Sequence, residues 1–240
     1  MDARKWGLAA LGFALSLLGA SAATADTVEL ERSGPTYHVK ACPSGNPHMT
    51  ARCHAHIVTD ARGNEIQGKP DGAAPNVTPS GYGPSQLQTA YSLAAASGSN
   101  GAGKVVAIVD AYGYSNADRD LQTYRSQFGL PACTTANGCL IIRNQSGGTN
   151  LPSQNTGWAQ EQALDLDMAS AICPNCKILL IQASSNSFAN LAAGVDYAAS
   201  YPGVVAISNS YGGSEYSGEV SDQAHYNNPT TRGIAVTVSS

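Results

Sequence analysis

Lys104-Val105-Val106-Ala107-Ile108-Val109-Asp110 is an unbroken apolar run of strand length that ends in a carboxylate. A strand that does not alternate polar with apolar residues is buried on both faces, as in a parallel sheet covered by helices. After a short loop, Ser115 and Asp118 predict a capping box. Leu121, Tyr124 and Phe128 then form one apolar stripe before Gly129 and Pro131 stop a helix. The alternation continues: a strand at 140–143, a helix at 158–172, a strand at 178–182, a helix at 188–200, and strands at 204–207 and 234–238. This order predicts an α/β, doubly wound, mostly parallel sheet with helices on both faces. In such sheets the functional crevice lies beyond the carboxyl ends of the strands. That singles out Asp110, residues 208–213 and whatever follows Val238.

Upstream of the run, Pro84 can open a helix, and Leu87, Ala90, Tyr91 and Ala94 recur at helical spacing. Residues 81–240 are therefore read as the domain, and 26–80, mixed in composition and turn-rich from Gly68 to Ser80, as an N-terminal extension and linker. Residues 1–25 read as a signal peptide: Arg4 and Lys5, a short apolar run from Leu8 to Leu18, and Ala23-Thr24-Ala25 before Asp26. The apolar run is shorter than the ~20 residues a spanning helix needs. The expected location is secreted, extracellular or periplasmic, with no membrane association once the signal is removed. Only 12% of the 240 residues are charged and the formal net charge is −4. No basic field is available for nucleic-acid phosphates, so a nucleic-acid partner is not expected. A surface with few ion pairs also loses little when its carboxylates are protonated, which suits an acidic milieu.

The six cysteines fall into sequence-local pairs, Cys42 with Cys53, Cys133 with Cys139 and Cys173 with Cys176. Disulfides are the default for an even count in an exported chain, although other connectivities are compatible with the sequence. Cys173-Pro-Asn-Cys176 has redox-type spacing but does not open a helix after a strand, so a catalytic thiol is disfavoured. Cys42, His48, Cys53, His54 and His56 fit no tetrahedral zinc spacing well, and no metal site is assigned. Gly98-Ser-Asn-Gly-Ala-Gly103-Lys104 resembles a phosphate-binding loop but leads into a strand, with Val105 where Ser or Thr would hold magnesium. Asn76 and Asn144 head glycosylation sequons.

Trp158-Ala-Gln-Glu161-Gln-Ala-Leu-Asp165-Leu-Asp167-Met is the segment richest in chemistry. Glu161 and Asp165, four apart, share a helix face, whereas Asp167 points away. On a solvated helix that pair would be mildly unfavourable by a few tenths of a kcal/mol. Here the pair sits among Trp158, Leu164, Leu166 and Met168 in a chain poor in charge, which marks it as a candidate functional pair. A carboxylate titrating near about 4.3 can act as a base in acid where imidazole, near about 6.5, is protonated. The histidines do not offer a rival triad: His38, His48, His54 and His56 precede the domain, and His225 lies in a polar segment away from a predicted strand end.

With these motifs, residues 81–240 resemble the first part of a sedolisin, the serine-carboxyl peptidases on a subtilisin-like fold. The match is carried by Gly81-Tyr-Gly-Pro-Ser-Gln-Leu, Ala107-Ile-Val-Asp110, Glu161-x-x-Leu164-Asp165 and Ser208-Asn-Ser-Tyr211-Gly-Gly. The resemblance implies that Glu161 is the general base and Asp165 its orienting carboxylate. It also implies that Asp110 extends the acid network, with Tyr211 close by where many relatives carry Trp. Ser208, Asn209, Ser210 and Gly212 would line the cleft for a polypeptide substrate. In the family the strand matching 234–240 runs on to an oxyanion-hole Asp, and the nucleophile follows in a Gly-Thr-Ser motif. A calcium site lies later still, so no cofactor is expected within this chain. The domain is therefore expected to be C-terminally truncated and the chain inactive as it stands, with an extension shorter than the usual propeptide. The alternative is a non-catalytic, degenerate secreted relative kept for binding or made by a pseudogene.

Overall fold

A computed structural model describes residues 29–42, 50–66 and 81–239. The signal region 1–25, the turn-rich stretch 68–80 with Asn76, and His48 lie outside the described residues. In chain order the elements are β1 (Glu31–Ser33), β2 (Thr36–Lys40), β3 (Arg52–Cys53), β4 (His56–Thr59), α1 (Pro84–Ala90), α2 (Ala94–Ser99), β5 (Val105–Ala111) and α3 (Ala117–Gln127). There follow β6 (Leu140–Asn144), α4 (Thr156–Ile172), β7 (Lys177–Ala183), α5 (Phe188–Ser200), β8 (Val204–Asn209), β9 (Tyr211–Gly212), α6 (Glu219–Thr231) and β10 (Ala235–Val238).

The apolar run at 104–109 becomes β5, the middle strand of a five-stranded sheet ordered β10-β8-β5-β7-β6. Every pairing in this sheet is parallel. Alternate side chains of β5 face opposite ways. Val105, Ala107, Val109 and Ala111 join Leu179, Ile181, Leu191 and Val195 in one core beneath α5. Ile108 joins Leu121, Leu140, Leu166, Ile178 and Leu180 in a second core beneath α3 and α4. Burying each of these large aliphatic side chains contributes about 1.5–3 kcal/mol, so a strand apolar on both faces can be satisfied only here. The chain leaves β5 for β6 and β7 on one side, then crosses to β8 and β10 on the other. That reversal places a crevice at the carboxyl end of β5.

Of residues 26–80, read as an extension, the described ones make two structures. β1, β2 and β4 form an antiparallel sheet of three strands. Between β2 and β4 the chain forms a strap in which β3 pairs antiparallel with β9, Cys53 opposite Tyr211. Cys42, Ala51 and Cys53 belong to the α5-side core.

The three disulfides are Cys42–Cys53, Cys133–Cys139 and Cys173–Cys176. The phosphate-loop-like stretch packs on the last of them. Gly101 has φ +93°, and a Cβ there would lie 2.5 Å from Cys173 Sγ. Among the described residues no helix is long and apolar enough to cross a membrane.

One local expectation is corrected. The N-cap of α3 is Asn116, with no side-chain cap, instead of a Ser115/Asp118 box. Ser115 Oγ donates to Gln154 Oε1 at 2.6 Å, and Asp118 accepts from Thr135 and Gln122. Loop partners have recruited the side chains that a cap would use. The polar stretch around His225 forms α6, with Pro229 inside it. Low propensity is overridden there by packing on α5, which includes a 2.7 Å contact between His225 Nδ1 and Asp196 Oδ2.

Candidate active site

Asp110 ends the buried run of β5 on the side that faces α4, in register with Gln182 of β7. It is fully buried, and neither of its carboxylate oxygens has a hydrogen-bond partner. Burial, reinforced by the neighbouring charges of Asp165 and then Glu161, pushes its proton affinity well above the usual carboxylate range. Burial and the two acids of the helix thus both disfavour the ionised form of Asp110.

α4 presents those acids because Asn155 fixes its first turn, accepting from Trp158 N at 3.1 Å. Glu161 is 2% exposed. Its Oε2 accepts from the backbone N–H of His54 at 2.7 Å and of Ala55 at 2.6 Å, both in the strap. Burial raises Glu161, and these two N–H donors pull it back. Asp165 Oδ1 accepts from Ser210 Oγ at 2.8 Å, while Oδ2 has no partner. Burial lifts Asp165 to about 7, with the Ser210 hydroxyl opposing and Glu161 adding. Asp167, which points the other way, is raised to about 8 by burial and then by Asp120, and stands apart from this group.

The residues flanking the acids divide in two. Tyr211 is 1% exposed, donates to Asn209 Oδ1 at 2.9 Å, and packs its ring 6.3 Å from Trp158. Burial raises its hydroxyl, and Asp110 contributes to that rise, so the two are neighbours. Asn209 is buried as well, with Nδ2 donating to Thr237 O at 3.0 Å. Its carboxamide ties β8 to β10 instead of opening to a groove. Ser208 lies within β8, opposite Ile108 and Thr237. Ser210 turns to Asp165 of α4, and Gly212 pairs with Arg52 of the strap. Gly212 lies beneath the His54 ring, which a Cβ there would approach to 3.1 Å.

Several contributors were not singled out from sequence. Gln162 is fully buried on α4, donating to Ala111 O at 3.1 Å and Tyr112 O at 3.2 Å and accepting from Gln182 Nε2 at 2.9 Å. It bolts the acid helix to the ends of β5 and β7. Tyr112 adopts φ 62°, an uncommon conformation for a residue with a side chain, directly after Asp110 and Ala111. The strap is a further contributor. Ala51 N–H donates to Asn186 O at 2.7 Å, and Asn186 Nδ2 returns to Ala51 O at 2.6 Å. Beside β9 lies a cleft of about 430 Å³, lined among others by Phe188, Gly213, Tyr216 and Tyr226. Glutamines within an apolar pattern are the signal that would have pointed to Gln162 and Gln182.

No family model matches the chain, and no curated protein does. Among solved structures, Pseudomonas sedolisin, a serine-carboxyl proteinase complexed with two molecules of pseudo-iodotyrostatin, matches with a TM-score of 0.53 and 20% identity. The fold is sedolisin-like. The similarity covers 68% of this chain and 45% of that proteinase, so the chain spans less than half of its length. In this sedolisin-like frame, the three acids sit at the carboxyl end of the sheet where the strand order reverses, and the strap of the same polypeptide holds Glu161.

Proposed function

We propose that this chain carries the acid half of a secreted serine-carboxyl endopeptidase. The single observation that carries this reading is the buried convergence of Asp110, Glu161 and Asp165 on the side of the sheet end that faces α4. Glu161 would take the proton from a serine hydroxyl as its oxygen attacks the peptide carbonyl, then return it to the leaving amine. Asp165 would orient Glu161, and neutral Asp110 would supply a proton to the network. The substrate would be a polypeptide bound as an extended strand on Tyr211–Gly212, an edge that already pairs with Arg52–Cys53. The aromatic cleft beside that edge would take a large apolar side chain. This reading assigns the acids of the triad and leaves the serine and the oxyanion donor unassigned.

The test is peptide hydrolysis by the complete gene product, followed from about pH 3 to 6, a range that spans the titration of an ordinary Glu near about 4.3. Glu161→Gln and Asp165→Asn should each lose at least about a hundredfold in kcat. Wild-type turnover in both would end the assignment, and cleavage by the 240-residue chain itself would end the division of labour.

A second reading, a non-catalytic secreted relative, is favoured by one observation: two strap N–H groups already occupy Glu161 Oε2. An in-frame stop codon directly after Ser240, with a monomeric and cooperatively unfolding chain, would support it.

A further inference from the structure

Away from the acid helix, three side chains on one face of the β1-β2-β4 sheet converge. Glu31 stands directly opposite His38. His56 faces Lys40, which makes His38 and His56 diagonal neighbours across the antiparallel pair, close enough for long side chains to meet. His38 Nδ1 and His56 Nδ1 are 2.8 Å apart. Glu31 Oε2 lies 3.6 Å from the first and 3.7 Å from the second. Lys40 Nζ holds the other oxygen, Oε1, at 2.6 Å, which turns Oε2 towards the imidazoles.

We propose that Glu31, His38 and His56 form a binding site for one divalent transition-metal ion of the zinc class. In a tetrahedral zinc site with bonds of about 2.0–2.2 Å, neighbouring donors stand roughly 3.3–3.6 Å apart. The two oxygen-to-nitrogen separations already have about that value, and only the imidazole pair must open by about half an ångström. Three protein donors on an exposed sheet face leave the fourth position to water. Two imidazoles and one carboxylate select zinc, copper or nickel, whereas calcium and magnesium ask for an all-oxygen set. Binding needs both Nδ1 atoms unprotonated, so each neutral ring would carry its single proton on Nε2, and the contact between the two Nδ1 atoms would give way to two bonds to the metal. The sulfurs of Cys42 and Cys53 are joined to each other, so this donor set differs from one built on the cysteines. The ion would tie all three strands of the small sheet together. It would also fix β4 directly behind Ala55, whose N–H reaches Glu161.

The full chain, stripped with a chelator, is titrated with zinc at pH 7.5 against a chromophoric competitor, and with cobalt while the visible absorption is followed. One ion per chain is expected, with a cobalt spectrum of tetrahedral intensity and a Tm that rises on adding zinc. His38→Gln or His56→Gln should weaken zinc at least about tenfold, and Glu31→Gln by about the same factor. His225→Gln should change nothing. Both histidines lie on the outer face of the sheet, and circular dichroism checks that each variant keeps its fold. Zinc bound no more tightly by the wild type than by either variant, or affinity that follows His225, overturns the site.

Discussion

Asp110 has two buried oxygens without donors and two acids for neighbours, an arrangement that is tolerable only if the group carries its proton. Asp110→Asn keeps the shape and removes the titration. Its Tm at pH 7 should equal or exceed that of the wild type, and its stability should vary less between about pH 4 and 7. A variant that melts well below the wild type at pH 7 would show that the carboxylate is ionised after all. Arg125 poses the opposite problem of a buried cation. It is 1% exposed and donates to Pro131 O, Ser170 Oγ and Pro174 O. These contacts hold the loops of two disulfides against α3 and α4. Arg125→Met should cost about 3 kcal/mol in denaturant unfolding, since charge-assisted bonds are lost and carbonyls are left unpaired. A cost below about 1 kcal/mol would deny the arginine that role. Asp110, Glu161 and Asp165 were legible in the sequence because each lies at a strand end or within an apolar helix. Arg125 was not, because its partners are mostly backbone carbonyls that no residue pattern announces.

At the scale of elements, the strap joins the extension to the acid helix through a tight passage. A Cβ on Gly157 would fall 2.2 Å from Ala41 O. Helix propensity alone makes Gly157→Ala favourable by about 1 kcal/mol. The steric conflict predicts the reverse: Ala41 and the strap move off α4. Hydrogen exchange at the His54 and Ala55 amides, which donate to Glu161, should then quicken at least about tenfold. Unchanged protection together with a higher Tm would mean that the strap does not depend on this passage. The parallel sheet and its helices were readable because continuous apolar runs and 3.6-residue stripes report local burial. The strap was not, since Arg52 and Cys53 pair with Gly212 and Tyr211, partners that no local periodicity can reveal. α6 escaped for a different reason, its polar sequence and internal proline arguing against the helix that α5 supports.

For the whole molecule the buried acids set the response to pH. An unfolded Asp titrates near about 3.9. The folded chain holds Asp165 at about 7 and Asp167 at about 8, with Asp110 higher than usual too. A raised folded value favours the protonated native state. The associated stability is therefore complete below about pH 4 and is lost as pH rises through about 7 to 8. Each such group removes about 1.4 kcal/mol per pH unit within its window. Asp60, held low first by the Asn64 side chain, works in the opposite sense but only as pH falls below the ordinary carboxylate range. Calorimetry should give a higher Tm near pH 4 to 5 than at pH 8, and a Tm that climbs across that interval would contradict the burial of these acids.

The strap also constrains the order of events as the chain is made. Residues 50–55 leave the ribosome long before their partners at Glu161, Asn186 and Tyr211 exist. Cys42 and Cys53, eleven apart, can already be joined by then. Residues 50–55 can dock only after the sheet and the helix that they contact have been assembled.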